Sequence, residues 1–149
     1  MSESFKILER LPARQRSALE HLLYFNVNQE RMLPGIRKSI ANYGVPEIVE
    51  HDGELGIRVG SLDGVQTLFA VAEHGYPLGV AVFVHLAPDR IAILHVVVLP
   101  RLRSTSDVNV QVFLELIHEI RCLAKRTQGI NRIEVVYSKR QGIALNNAS

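Results

Sequence analysis

Tryptophan is absent and cysteine occurs once, at Cys122, so no internal disulfide can staple this chain and a reducing compartment suits it. Aromatic residues make up only 6% of the sequence, too few to offer a row of flat side chains on which nucleic-acid bases would stack. No apolar run reaches the length of a bilayer. The longest, LGVAVFVHLA and IAILHVVVL, are each broken by a histidine, and the opening MSESFKILER is charged where a signal peptide is apolar. The expectation is a cytoplasmic chain with no membrane partner. Repeats, low-complexity tracts and linkers of interdomain length are missing as well, which predicts that residues 1–149 form a single domain.

What is present is globular: 47% hydrophobic and 21% charged residues in 149, enough to bury a core. The net charge of +2 hides an asymmetry. From Pro100 onward eight basic residues stand against four acidic ones, whereas the first 99 residues carry nine bases and eleven acids. A basic C-terminal third suits an anionic ligand, phosphate or nucleic acid. Only Phe113 and Tyr137 interleave it with aromatics, which makes nucleic acid the weaker alternative.

The hydrophobic pattern predicts helices over Pro12 to Tyr24, with Ala18, Leu19, Leu22 and Leu23 as the buried stripe, and over Gln29 to Tyr43, stopped by Gly44 and Pro46. The period then changes. Leu55 to Ser61, Val65 to Glu73, Leu78 to Leu86 and Arg90 to Leu99 read as strands of an antiparallel meander, turning at Asp63-Gly64, His74-Gly75 and Pro88-Asp89. A long helix follows, capped by Ser106 or Asp107, ended by Gly129, with Phe113, Leu116, Ile117, Ile120, Leu123 and Ala124 inward. Ile133 to Tyr137 supplies a last strand, parallel to the one before the helix. The whole is an α+β fold: a mostly antiparallel sheet flanked by helices, with one parallel pair around the crossover.

Where LHVVVLPRLRSTSDVNVQVF passes from strand to helix, Arg101 and Arg103 precede small hydroxylated residues. Unpaired amides and the positive end of the helix dipole meet at such a corner, which can hold an anion. His118, Glu119 and Cys122 fall within two helical turns, and His118 and Cys122 share a face at i, i+4, but no third metal ligand accompanies that pair and no metal is expected. The acidic run PEIVEHDGE is either a solvated loop or an attractor for a cationic substrate, and Tyr24, Tyr43 and Tyr76 suit a pocket or simple packing.

Two segments resemble a known family. AVAEHGYPLGVAVF, Ala70 to Phe83, resembles the second and third strands of the GNAT superfamily of acyl-CoA-dependent N-acyltransferases, and IAILHVVVLPRLRS resembles its fourth strand and cofactor loop, with Val98, Pro100 and Arg103 at the family's Val, Pro and Arg positions. The resemblance implies acetyl-CoA or another acyl-CoA as donor and a small-molecule or peptide amine as acceptor. It also implies a pyrophosphate site over Arg103, Ser104, Thr105, Ser106, Asp107 and Val108, with strand amides of Val97 and Val98 at the acyl carbonyl. The family loop follows Q/R-x-x-G-x-G/A. Aligned on Arg103, this chain has Ser106 and Val108 at the glycine positions; aligned on Arg101, it has Ser104 and Ser106.

His95 stands where relatives often carry an acidic or other polar group, and a histidine titrates near neutrality, so it is a candidate base. Glu73, ending a strand, is another, acting through water. SKRQGIALNN, Ser138 to Asn147, weakly resembles the family's last helix, with Asn146 near the position of a tyrosine acid. The sequence then stops short of the family's last two strands. An edge left open in this way is expected to be covered by a second copy in a homo-oligomer. The alternative function is a degenerate GNAT-fold protein that senses CoA or assembles without catalysis.

Overall fold

The structure, a computed structural model, describes residues 5–24, 41–98, 106–135 and 143–144, with backbone only at 24, 106–110, 135 and 143–144. Among the described residues, two sheets and the helices Arg16–Tyr24 and Ser106–Arg126 frame the fold. Strand β1 (Phe5–Leu8) and the short β2 (Leu11–Pro12) come first, followed by a 3-10 turn (Ala13–Gln15) and helix α1 (Arg16–Tyr24). Strands β3 (Pro46–His51), β4 (Glu54–Val59), β5 (Val65–Ala72), β6 (Pro77–Ala87) and β7 (Arg90–Val98) follow, then helix α2 (Ser106–Arg126), β8 (Arg132–Val135) and β9 (Ile143–Ala144).

Strands β1-β5-β6-β7-β8-β9 form a six-stranded sheet in that order, and β2-β4-β3 a smaller one. Neighbours are antiparallel throughout except β7 and β8, which run parallel from Arg90 opposite Arg132 to Ile93 opposite Val135. A parallel neighbour requires a crossover, and α2 is that crossover.

The central strands VQTLFAVA, PLGVAVFVHLA and RIAILHVVV are almost continuously apolar rather than alternating, because helices cover both faces. Helix α2 packs through Val112, Leu116, Ile120 and Ala124, each at most 1% exposed. Burying a Leu or Ile side chain in this way contributes about 1.5–3 kcal/mol. Gly79 permits the close approach: a Cβ there would meet Val112 Cγ1 at 2.8 Å and the Val97 carbonyl oxygen at 3.1 Å. Register then fixes the faces. Gly79, Ala81 and Phe83 of β6 look toward α2, and Val80, Val82 and Val84 look the other way, where Leu19, Leu22 and Leu23 of α1 lie buried. Lys125 and Arg126 sit at the negative end of the α2 dipole. The Thr127 hydroxyl donates to the Leu123 carbonyl at 2.9 Å, and Gly129 leaves the helix at φ 93°.

Several expectations are corrected. The described residues begin with strand β1, and the first described helix starts at Arg16 rather than Pro12, because Pro12 pairs with Glu54 in the smaller sheet. PEIVEHDGE is a hairpin, β3 turning at Asp52-Gly53 into β4, and not a loop. Strand β4 therefore pairs with β3 and β2 and is no part of a four-stranded meander. Phe113 is 37% exposed, since the buried stripe runs one residue earlier, from Val112. Ile143–Ala144 is a strand on the outer edge of β8, not helix. Of the second predicted helix only residues 41–43 are described, and they are helical.

Candidate functional site

The strand-to-helix corner is assembled by the β7-α2-β8 crossover. Strand β7 ends at Val98 and α2 begins at Ser106. The first turn of α2, with the amide groups that have no intrahelical partner, therefore follows the C-terminal end of the parallel pair. Ser106, Asp107 and Val108 are the first three residues of that turn. Arg101, Arg103, Ser104 and Thr105 lie outside the described residues.

Val97 and Val98 occupy the end of β7, opposite Val80 and Gly79, and are 5% and 8% exposed. The described pairing of β8 reaches Ile93 of β7, and Leu94 to Val98 continue beyond it. Glu73 is exposed in the turn from β5 to β6, where the Gly75 amide donates to the Ala72 carbonyl at 2.8 Å. Because Ala70 lies opposite Gly79, and Gly79 opposite Val98, this turn is at the same end of the sheet as the corner.

His95 is enclosed, only 4% exposed, and its Nε2 has no hydrogen-bond partner among the described residues. Burial disfavours the charged ring and lowers its pKa from 6.5 to about 4. At neutral pH the imidazole is therefore neutral and a weak proton acceptor. A β-bulge sets its direction. Val82 faces His95 but Phe83 faces Ile93, so Leu94 is an extra residue. The bulge turns His95 to the face of Val82 and α1, away from the face of Ile93 and α2.

The structure thus brings Glu73, Val97, Val98 and the start of α2 to one end of the sheet and leaves His95 sealed beneath the α1 face. Among the described residues no group of three His, Cys, Asp or Glu side chains is placed to hold a metal ion. His118 Nε2 and Cys122 Sγ are 3.5 Å apart on α2. Tyr43 and Tyr76 are half-buried, and the Tyr24 side chain lies outside the described residues.

One feature had no sequence signal. A cleft of about 350 Å³ opens at the opposite end of the sheet, lined by Arg10, His51, Glu54, Gln66 and Thr67 among others. It forms where Glu9 and Arg10 cross from one sheet to the other, a geometry that only the pairing of β1 with β5 and of β2 with β4 reveals.

No protein-family model matches the sequence, and no curated protein matches it either. Solved structures do. A GNAT-family acetyltransferase from Staphylococcus aureus Mu50 is 17% identical, with a TM-score of 0.53 over 89% of this chain and 72% of its own. An IAA acetyltransferase from Bacillus cereus ATCC 14579 is 19% identical, with a TM-score of 0.46 over 89% of this chain and 65% of its own. A nourseothricin acetyltransferase is 17% identical, with a TM-score of 0.39 over 61% of this chain and 57% of its own. The chain spans less than two thirds of the latter two. The sheet order, the parallel pairing of β7 with β8 and the first of these likenesses together define the GNAT fold, and this chain has it. No helix among the described residues is long and apolar enough to cross a membrane.

Proposed function

We propose that this chain is a GNAT-type N-acyltransferase that moves an acetyl or longer acyl group from acyl-CoA to an amine. The observation that carries the proposal is the corner itself: the amide-rich first turn of α2 follows the C-terminal end of a strand that has a parallel neighbour. Free amides and the helix dipole at such a place favour the CoA pyrophosphate. Ser106, Asp107 and Val108 supply that turn, and Arg103, Ser104 and Thr105 precede it in sequence.

In the proposed reaction the amine nitrogen attacks the thioester carbonyl, the new C–N bond forms and the C–S bond breaks. Backbone groups of Val97 and Val98 steady the oxygen as it gains charge. The amine's proton passes through water to Glu73, whose exposed carboxyl is at this end of the sheet, and the thiolate leaves with CoA and is protonated from solvent. Its enclosure and lowered pKa make His95 a weak base for the amine's proton. It enters this account as a neutral, enclosed group next to the bulge. The acceptor is a small-molecule or peptide amine, the setting is the cytoplasm, and a second copy covers the β9 edge.

The enclosed His95 also favours a second account, in which the GNAT fold binds CoA for sensing or assembly without catalysis. Incubation with acetyl-CoA and a set of primary amines, including lysine-containing peptides, separates the two. Acetylated amine together with free CoA supports the transferase. CoA binding without transfer to any amine supports the second account, and no CoA binding removes both.

A further inference from the structure

Strand β1 is the outermost strand of the six-stranded sheet, and among the described residues nothing pairs with its free edge. Every second residue of such an edge presents its N–H and C=O outward, ready for another extended chain. Helix α2 overhangs this edge. Its Glu115 and Glu119, one turn apart, form a groove of about 330 Å³ with Phe5, Lys6 and Ile7. Both residues are half-buried, and neither is ion-paired among the described residues. Ile7 lies opposite Ala70, which lies opposite Gly79, so Ile7 shares the α2 face and Lys6 projects to the other side.

We propose that this groove docks an extended, basic peptide segment of a partner protein. The segment adds as a further strand on β1, and its alternate Lys or Arg side chains reach Glu115 and Glu119. The two halves of the recognition are independent, the backbone through the β1 edge and the charge through the Glu115 and Glu119 carboxylates. A second copy of this chain is a poor occupant. Antiparallel pairing of β1 with its own copy would put both α2 helices on one face of a continuous sheet, carboxylates against carboxylates, and like charges there repel. The proposal concerns the opposite flank of the sheet from β8 and does not depend on acyl transfer.

The probe is an end-blocked pentapeptide of alternating valine and lysine, with a valine and glutamate peptide as its counterpart, titrated into the intact chain at low salt. The expected result is saturable binding of the lysine peptide only, with slowed amide exchange at Phe5 to Leu8. Glu115→Gln together with Glu119→Gln should weaken it about tenfold, as loss of two partly exposed charge pairs implies. The double variant removes a repulsion on a helix surface, so its folding is not at risk. Equal binding of both peptides, undiminished binding by the double variant, exchange protection elsewhere than β1, or no binding at millimolar peptide would each overturn the proposal. So would a dimer whose own β1 amides are protected.

Discussion

Gly79 and Val112 meet at a distance no side chain would allow, since a Cβ on the glycine would sit 2.8 Å from the valine Cγ1. Through this contact β6 sets how low α2 lies on the sheet, and hence where the first turn of α2 stands relative to the end of β7. Gly79→Ala must push the helix outward or force Val112 and Leu116 from their rotamers. Overpacking of this kind costs about 1–3 kcal/mol. Chemical denaturation should show that loss, with CoA binding weakened as well. An alanine variant of parental stability would show that the helix position is not fixed here.

The enclosed His95 predicts a pH dependence of stability. Its folded pKa of about 4 lies below the 6.5 of the unfolded chain. Between these values the unfolded state binds the extra proton, so stability is full above pH 6.5 and is lost as pH falls toward 4. From pH 7.5 to pH 5 the loss is about 2 kcal/mol. His95→Leu removes the titration, so denaturant midpoints of the variant should fall less over this range. Identical pH slopes for parent and variant would mean that His95 is not enclosed.

Arg90 Nη1 donates to Glu134 Oε1 at 2.9 Å, joining β7 to β8 near the start of the parallel pair. Both side chains remain partly exposed, at 36% and 23%. Glu134→Gln should therefore cost less than about 1 kcal/mol, and less still at high salt. A loss of several kcal/mol in a urea titration would mean that the pair is far better shielded than its exposure indicates.

Arg101 and Arg103, proposed to flank the CoA pyrophosphate, are tested through binding. Exchanging Arg101 and Arg103 together for alanine should weaken CoA about tenfold at low salt and less at high salt, because screening already reduces both contributions. Unchanged affinity by calorimetry would take the arginines out of the pyrophosphate site.

Strands β5, β6 and β7 and the end of α2 were legible within a residue or two, because long β-branched runs, turn dipeptides and Gly129 all act locally. Strand β1 was not. FKIL has only four residues, and Pro12 nearby is as suited to the first turn of a helix as to the short strand it joins. Strand β3 was hidden by its charges: in PEIVEHDGE only Pro46 and Ile48 are buried, too little for a visible alternation. The sequence marks His95 as a candidate base, but the direction of its side chain rests on one extra residue at Leu94. A bulge is a property of two paired strands, and neither strand displays it alone. The groove beside β1 and the cleft at the sheet junction arise from long-range pairing in the same way.

The central claim is that the corner between β7 and α2 grips a CoA diphosphate. Amide hydrogen exchange with and without saturating acetyl-CoA tests it most directly. The account predicts slowed exchange at Ser106, Asp107 and Val108 and at the end of β7, together with a raised thermal midpoint, since a ligand bound only to the folded state stabilises it. Unchanged exchange at that corner, or protection confined to the cleft at the other end of the sheet, would contradict it.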